Sequence, residues 1–139
     1  MELNYEASAN ILSVKWPDEL SVESAHFFQT IITLFDTIQE QNVTYLIVDS
    51  GNPAGGVLTE EVINYFINQI PNTPLIKVAL LESPDYLWDN NLYQVINMLI
   101  TTHHLPIQVE LVKSRLVARD WFSPLSLEKS REKKPFKLT

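Results

Sequence analysis

Tyr45-Leu46-Ile47-Val48-Asp49-Ser50-Gly51-Asn52-Pro53 joins a run of large apolar residues to a turn-forming segment. Its apolar residues run consecutively, without the alternation of a half-exposed strand. A run of this kind, closed by turn-forming residues, reads as a strand buried on both faces. Such strands sit in the middle of a parallel sheet with helices packed on it. Asp49 to Pro53 ends the strand and begins a loop.

Downstream, the loop Gly51 to Gly56 contains every glycine in the chain. It runs to Thr59-Glu60-Glu61, where Thr59 can cap a helix and the glutamates suit its positive end. Val62, Ile63, Phe66, Ile67 and Ile70 make that helix amphipathic, and Pro71 and Pro74 break it. Lys77 to Leu81 reads as the next strand. Asp89 or Asn90 then opens a third helix, with Leu92, Val95, Ile96 and Leu99 inward, running out near His103 and His104. Ile107, Val109 and Leu111 alternate as a last strand. Ser114 caps a short final helix, with Leu116 or Val117, Ala118 and Trp121 toward the sheet.

Upstream, Leu3, Tyr5 and Ala7, then Leu12, Val14 and Trp16, alternate around a Ser8-Ala9-Asn10 turn and read as a hairpin. Pro17 stops the second strand because it lacks an N–H for the ladder. A helix is predicted from about Ser21, its cap, to Gln41, with Ala25, Phe28, Ile32 and Phe35 in the buried stripe, Ile31, Leu34 and Ile38 widening it, and Asn42 at its end. The order is ββαβαβαβα. It implies an α/β fold with a mixed, mostly parallel five-stranded sheet and an antiparallel edge from the hairpin. One domain over residues 1–122 is expected, followed by a tail over 123–139.

The 139-residue length suits one domain, and a 45% hydrophobic fraction is ample for its core. The absence of cysteine excludes disulfides, thiolate metal sites and cysteine nucleophiles. Met1-Glu2-Leu3-Asn4 lacks the features of a signal peptide, and no apolar run is long enough for a membrane span. A cytosolic protein without an integral membrane segment is therefore expected. The net charge of −7 argues against a nucleic-acid partner. That charge is uneven: Phe122 to Thr139 carries Lys129, Arg131, Lys133, Lys134 and Lys137 against Glu128 and Glu132. A solvated terminus accounts for such a tail, and so does docking on an acidic partner or an acidic neighbouring subunit.

No catalytic pattern emerges, and no cofactor is indicated. The loop lacks the GxGxxG spacing, a phosphate-loop lysine and the GxSxG elbow. Its position past the carboxyl end of a central strand still makes Asp49, Ser50, Asn52, Gly55, Gly56 and Thr59 candidate binding residues, because ligands of open α/β sheets gather there. The glycines of Asn52-Pro53-Ala54-Gly55-Gly56 could bring backbone N–H groups to an anion at a helix start; a strand end followed by a flexible turn accounts for the same residues. His103 and His104, adjacent on a helix, diverge and do not suggest a metal, and His26 is isolated. Tyr86 and Trp88, in a loop from Ser83 to Asn91, complete the candidate list. With Tyr93 and with Phe27, read as lying off the main face of its helix, they form a candidate patch for a protein partner or a second copy of the chain.

Taken in order, these motifs resemble the STAS-like fold, in its SpoIIAA-like (anti-sigma-factor antagonist-like) branch. The resemblance runs from about Tyr5 to Phe122. It is carried by the hairpin NYEASANILSVKWP (4–17), the strand YLIVDSGN (45–52), the helix start LTEEVINYF (58–66), the strand IKVALLES (76–83) and the ending QVELVKSRLVARDWF (108–122). It implies a non-enzymatic binding or regulatory module acting through protein contacts. In the antagonist branch a serine or threonine at the helix start after the central strand is phosphorylated, and the matching position is Thr59. The Asp-Ser-Ser-Gly pattern of that site is absent here, and Asp49-Ser50-Gly51 falls earlier, at the strand end. Other relatives hold small apolar ligands or lipids between helices and sheet.

Overall fold

The computed structural model describes residues 1–123. The basic stretch read from Phe122 onward lies, past Ser123, outside the described residues. Five strands form one sheet in the order β1-β2-β3-β4-β5: β1 (Glu2–Glu6), β2 (Ile11–Lys15), β3 (Tyr45–Asp49), β4 (Lys77–Leu81) and β5 (Gln108–Val112). β1 pairs antiparallel with β2, and the other neighbours are parallel. The helices are α1 (Ala25–Gln41), α2 (Glu60–Gln69), α3 (Tyr86–Thr102) and α4 (Arg115–Phe122). This is the expected ββαβαβαβα order, and the topology is that of the STAS-like fold class.

Because the parallel strands follow one another in chain order, each right-handed crossover places its helix on the same face. Leu12, Val14, Leu46, Val48, Val78, Leu80 and Val109 accordingly join α1, α2 and α3 in one large core. Ile47 points the other way and packs with Ile11, Ala79, Val112, Ala118 and Phe122 beneath α4. β3 is thus covered on both faces, which is why its apolar run does not alternate. Each such fully buried side chain stabilises the fold by about 1.5–3 kcal/mol.

Several element boundaries and faces differ from the sequence reading. α1 begins at Ala25, capped by Ser24, whose Oγ accepts from Phe27 N at 3.1 Å. Ser21 sits one turn earlier, and Val22 is drawn into the core ahead of the helix. The buried stripe is Phe27, Ile31, Leu34, Phe35 and Ile38; Ala25 is exposed, and Phe28 and Ile32 are half-buried. Ile31, Leu34, Phe35 and Ile38 are buried as expected, and the difference lies in the first turns, where Phe27 and not Ala25 or Phe28 is fully inside. Phe27 is therefore a core residue and does not belong to a surface patch.

α3 begins earlier than predicted. Asp85 caps it, with Oδ1 accepting from Trp88 N at 3.1 Å. Asp89, read as the cap, lies inside the first turn and is buried, while Tyr86 and Trp88 are helical. In α4, Ala118 and Phe122 face the sheet, Trp121 is half-buried, and Leu116 and Val117 are exposed. The Phe122 ring stacks on Tyr45 at 4.9 Å, and that contact sets the rotation of α4. Asn42 does end α1, in the left-handed conformation that asparagine tolerates (φ 51°).

Candidate functional site

The carboxyl ends of β2, β3 and β4 carry the candidate residues, and the structure shows what holds each one. Asp49 closes β3. Its Oδ1 accepts from Gly51 N at 2.8 Å, and its Oδ2 pairs with Arg115 Nη2 of α4 at 3.1 Å. Ser50 turns inward and is 5% exposed; its Oγ accepts from Trp88 Nε1 at 3.0 Å. Gly51 follows with φ +66°. A Cβ there would lie 2.8 Å from Asp18 Oδ1 and 2.9 Å from Trp16 O, so the chain can pass this point only without a side chain.

Asn52 joins the loop to the β2–α1 connection. Its N–H donates to Asp18 Oδ1 at 2.9 Å, and its carbonyl accepts from Glu19 N at 2.8 Å. Gly55 and Gly56 also hold positive φ, and Leu58 N donates to Asn91 Oδ1 of α3 at 2.9 Å. Thr59 then caps α2, its Oγ1 accepting from Val62 N at 3.3 Å. The Thr59 hydroxyl is half-buried and engaged as a cap, with exposed Glu60 and Glu61 beside it.

An anion finds little support here. The amides of Gly51 and Asn52 are held by the carboxylates of Asp49 and Asp18, which takes two neighbours of the expected donors, Gly55 and Gly56, out of play. Asp85 Oδ2 would lie 3.5 Å from a Cβ on Gly55, so a third carboxylate borders the loop. The cation paired with Asp49 is Arg115 of α4. A phosphate entering the loop would meet like charge on several sides.

Trp88 offers no ring to a partner. It is 2% exposed and forms a buried aromatic row with Phe27 (centroids 6.1 Å, edge-on) and Trp16 (5.5 Å from Phe27). This row joins the end of β2, the start of α1 and the start of α3 beneath the loop. Tyr86, by contrast, is 74% exposed, and Leu87 and Val57 are exposed as well. Tyr93 is half-buried.

Sequence reasoning missed Asp18, Asn91, Ser83 and Asp89. Asp89 accepts from Ser83 N at 2.7 Å and from Ser83 Oγ at 2.8 Å, tying the β4 exit to the first turn of α3. The Ser83-Pro84-Asp85 triplet signals a turn and cap, but nothing in the pattern distinguishes the capping aspartate from the buried one.

Two other features bear on ligand binding. A small apolar cavity of about 40 Å³ lies between the sheet and α1–α3, walled by Trp16, Ile31, Leu46, Phe66 and Ile96 among others. Among the described residues, the only buried side-chain nitrogen or oxygen left without a partner is Trp16 Nε1. His26, His103 and His104 are all exposed, and no group of three metal-ligating side chains is found among the described residues. No helix among them is long and apolar enough to cross a membrane. Ser50, Asp49 and Asn52 thus act mainly as fastenings of the loop, and the exposed side chains around them are both acidic (Asp18, Glu19, Glu60, Glu61) and apolar (Val57, Tyr86, Leu87). No protein-family model, curated protein or solved structure matches the chain.

Proposed function

We propose that this protein is a non-enzymatic STAS-like module of SpoIIAA-like type that acts by binding another protein at the carboxyl end of its parallel strands. The observation that carries the reading is where large apolar side chains reach solvent. Of the seven exposed large apolar side chains among the described residues, five, Val57, Tyr86, Leu87, Leu116 and Val117, lie in the segments leaving β3, β4 and β5 at that end, while Ile76 and Met98 lie elsewhere. Surface aromatic and aliphatic side chains gathered at one end mark a contact surface more than a reaction site. The polar residues of the same end are engaged in holding the loop, which leaves few groups free for acid–base work.

The test is co-purification of a cellular partner with the tagged full-length chain, compared with a Tyr86→Ser/Leu87→Ser variant. A stoichiometric partner that binds the parent and is lost from an equally stable variant supports the reading. Equal capture by both removes Tyr86 and Leu87 from the surface and the reading with them. Sedimentation at dilute concentration separates a different partner from a second copy of the chain.

The apolar cavity favours a second reading, the binding of a small apolar molecule. At about 40 Å³ it is well below the roughly 150 Å³ of an apolar cavity that takes up benzene. A lipid chain would require α1–α3 to move apart. Native mass spectrometry of gently purified protein should show a mass excess on this reading, and a clean apo mass across preparations removes it.

A further inference from the structure

We propose that the chain's own basic terminal segment, Lys133-Lys134-Pro135-Phe136-Lys137, docks in the groove between the first turns of α1 and α2. The inference is independent of the family reading. It begins with an unusual segregation of charge. No Lys or Arg occurs from Trp16 to Ile76 or from Val78 to Val112. α1, α2, α3 and their connections therefore carry no such cation at all. The five cations of the described residues, Lys15, Lys77, Lys113, Arg115 and Arg119, lie on the sheet or in and beside α4. Residues 124–139 hold five of the ten Lys and Arg but only two of the seventeen Asp and Glu. The first 123 residues are left with five basic against fifteen acidic side chains, a net −10.

Within that anionic layer one groove has both a rim and a floor. It measures about 410 Å³ and lies where α1 and α2 begin. Val22, Phe28 and Val62 supply apolar floor, and Glu23, Glu61 and Thr59 stand around it. Both glutamates are exposed, and the Phe28 ring is half-buried, with its inner side edge-on to Tyr65 at 5.4 Å. Such a site suits a segment with one aromatic side chain flanked by cations. The aromatic covers Phe28, and the cations approach Glu23 and Glu61 over apolar surface, where water screens them less than in the open. In this sequence Phe136 between Lys134 and Lys137 has that composition.

The reach is sufficient. The described chain ends at Ser123, next to Phe122, which stacks on Tyr45 at the amino end of β3. Residues 124–136 can span up to about 45 Å. Because α4 and the groove lie on opposite faces of the sheet, the route runs about 17 Å along a strand, about 10 Å past two strands to the β1 edge and about 10 Å between layers, a distance that Phe136 reaches on a nearly extended chain.

The absence of native cysteine makes the experiment direct. The full chain is prepared as Gln29→Cys/Leu138→Cys, with one thiol at the groove, and as Asn97→Cys/Leu138→Cys, with it on the exposed side of α3. Disulfide formation is followed at dilute concentration under mild oxidation. Docking predicts that the Gln29 pair closes about tenfold faster than the Asn97 pair, since contact raises the effective concentration of the thiols. That excess should disappear in about 1 M salt, where the screening length is only about 3 Å. It should also disappear with Glu23→Gln/Glu61→Gln. Equal closure rates for the two pairs, or an excess untouched by salt and by the glutamine variant, would overturn the proposal. A disulfide formed only between chains, at a rate set by protein concentration, would overturn docking within one chain.

Discussion

Replacing Asp89 by alanine should cost far more stability than replacing Asp85, although the two aspartates stand one helical turn apart. Asp85 is the N-cap of α3, half-buried, with one side-chain acceptor contact to Trp88 N. Losing a cap of this kind costs about 1 kcal/mol. Asp89 is 5% exposed and accepts both from Ser83 N at 2.7 Å and from Ser83 Oγ at 2.8 Å. Hydrogen bonds to a charged group contribute about 1.5–3 kcal/mol each, and a buried N–H stripped of its acceptor adds its own penalty. Removing the carboxylate also relieves its desolvation, so the net cost is about 3 kcal/mol, not the full sum. Urea unfolding with a slope of about 2 kcal/mol/M would place the midpoint shift near 1.5 M for Asp89→Ala and near 0.5 M for Asp85→Ala. Ser83→Ala combined with Asp89→Ala should cost less than the two separately, because they share one contact. Equal shifts, or a larger one for Asp85→Ala, would show that Asp89 is the cap and that the buried Ser83 contact does not stabilise the fold.

Other consequences follow from the same geometry. Gly51→Ala should destabilise by at least about 2 kcal/mol, because the left-handed backbone alone costs about 1–2 kcal/mol and the new Cβ meets Asp18 Oδ1 and Trp16 O; thermal melting checks it, and a loss below about 1 kcal/mol would contradict the close approach. Leu116→Ser should change stability by less than about 0.5 kcal/mol, while Phe122→Ala should cost about 3 kcal/mol, since only the latter side chain is buried under α4; similar losses would mean that α4 is turned otherwise. Glu6 is held below its ordinary value of 4.5 chiefly by the hydrogen bond from Arg119, and by that charge. Its folded-state value is below the unfolded one, so its contribution is present above the ordinary glutamate range and is lost as pH falls through the lowered value. Midpoints measured from neutral to acid pH should therefore show Glu6→Gln converging on the parent, and a gap independent of pH would exclude the linkage.

The helix order, the five strands and the sheet's mixed character were legible in the sequence because they rest on local periodicity. The uninterrupted Tyr45–Val48 run, the alternation in the hairpin and the caps Thr59 and Ser114 each report a backbone state within a few residues. Chain order with short crossovers then leaves little freedom in how parallel strands line up.

The inward side of the first turns of α1, the start of α3 and the outward face of α4 depended on contacts far away in sequence. Ser21 and Ser24 can both cap, as can Asp85 and Asp89; the choice falls to the burial of Val22 and to the pairing of Asp89 with Ser83. Phe27 and Trp88 became core residues because they meet each other and Trp16 across three elements. In the loop, the glycines and Asp49 announced a turn at a strand's carboxyl end, while the carboxylate of Asp18, 34 residues from Asn52, decided which amides it leaves free. Local pattern determines which elements form, since each depends on neighbouring dihedrals and side-chain spacing. Which side chains remain free to act depends on packing between elements, and only the tertiary structure decides that.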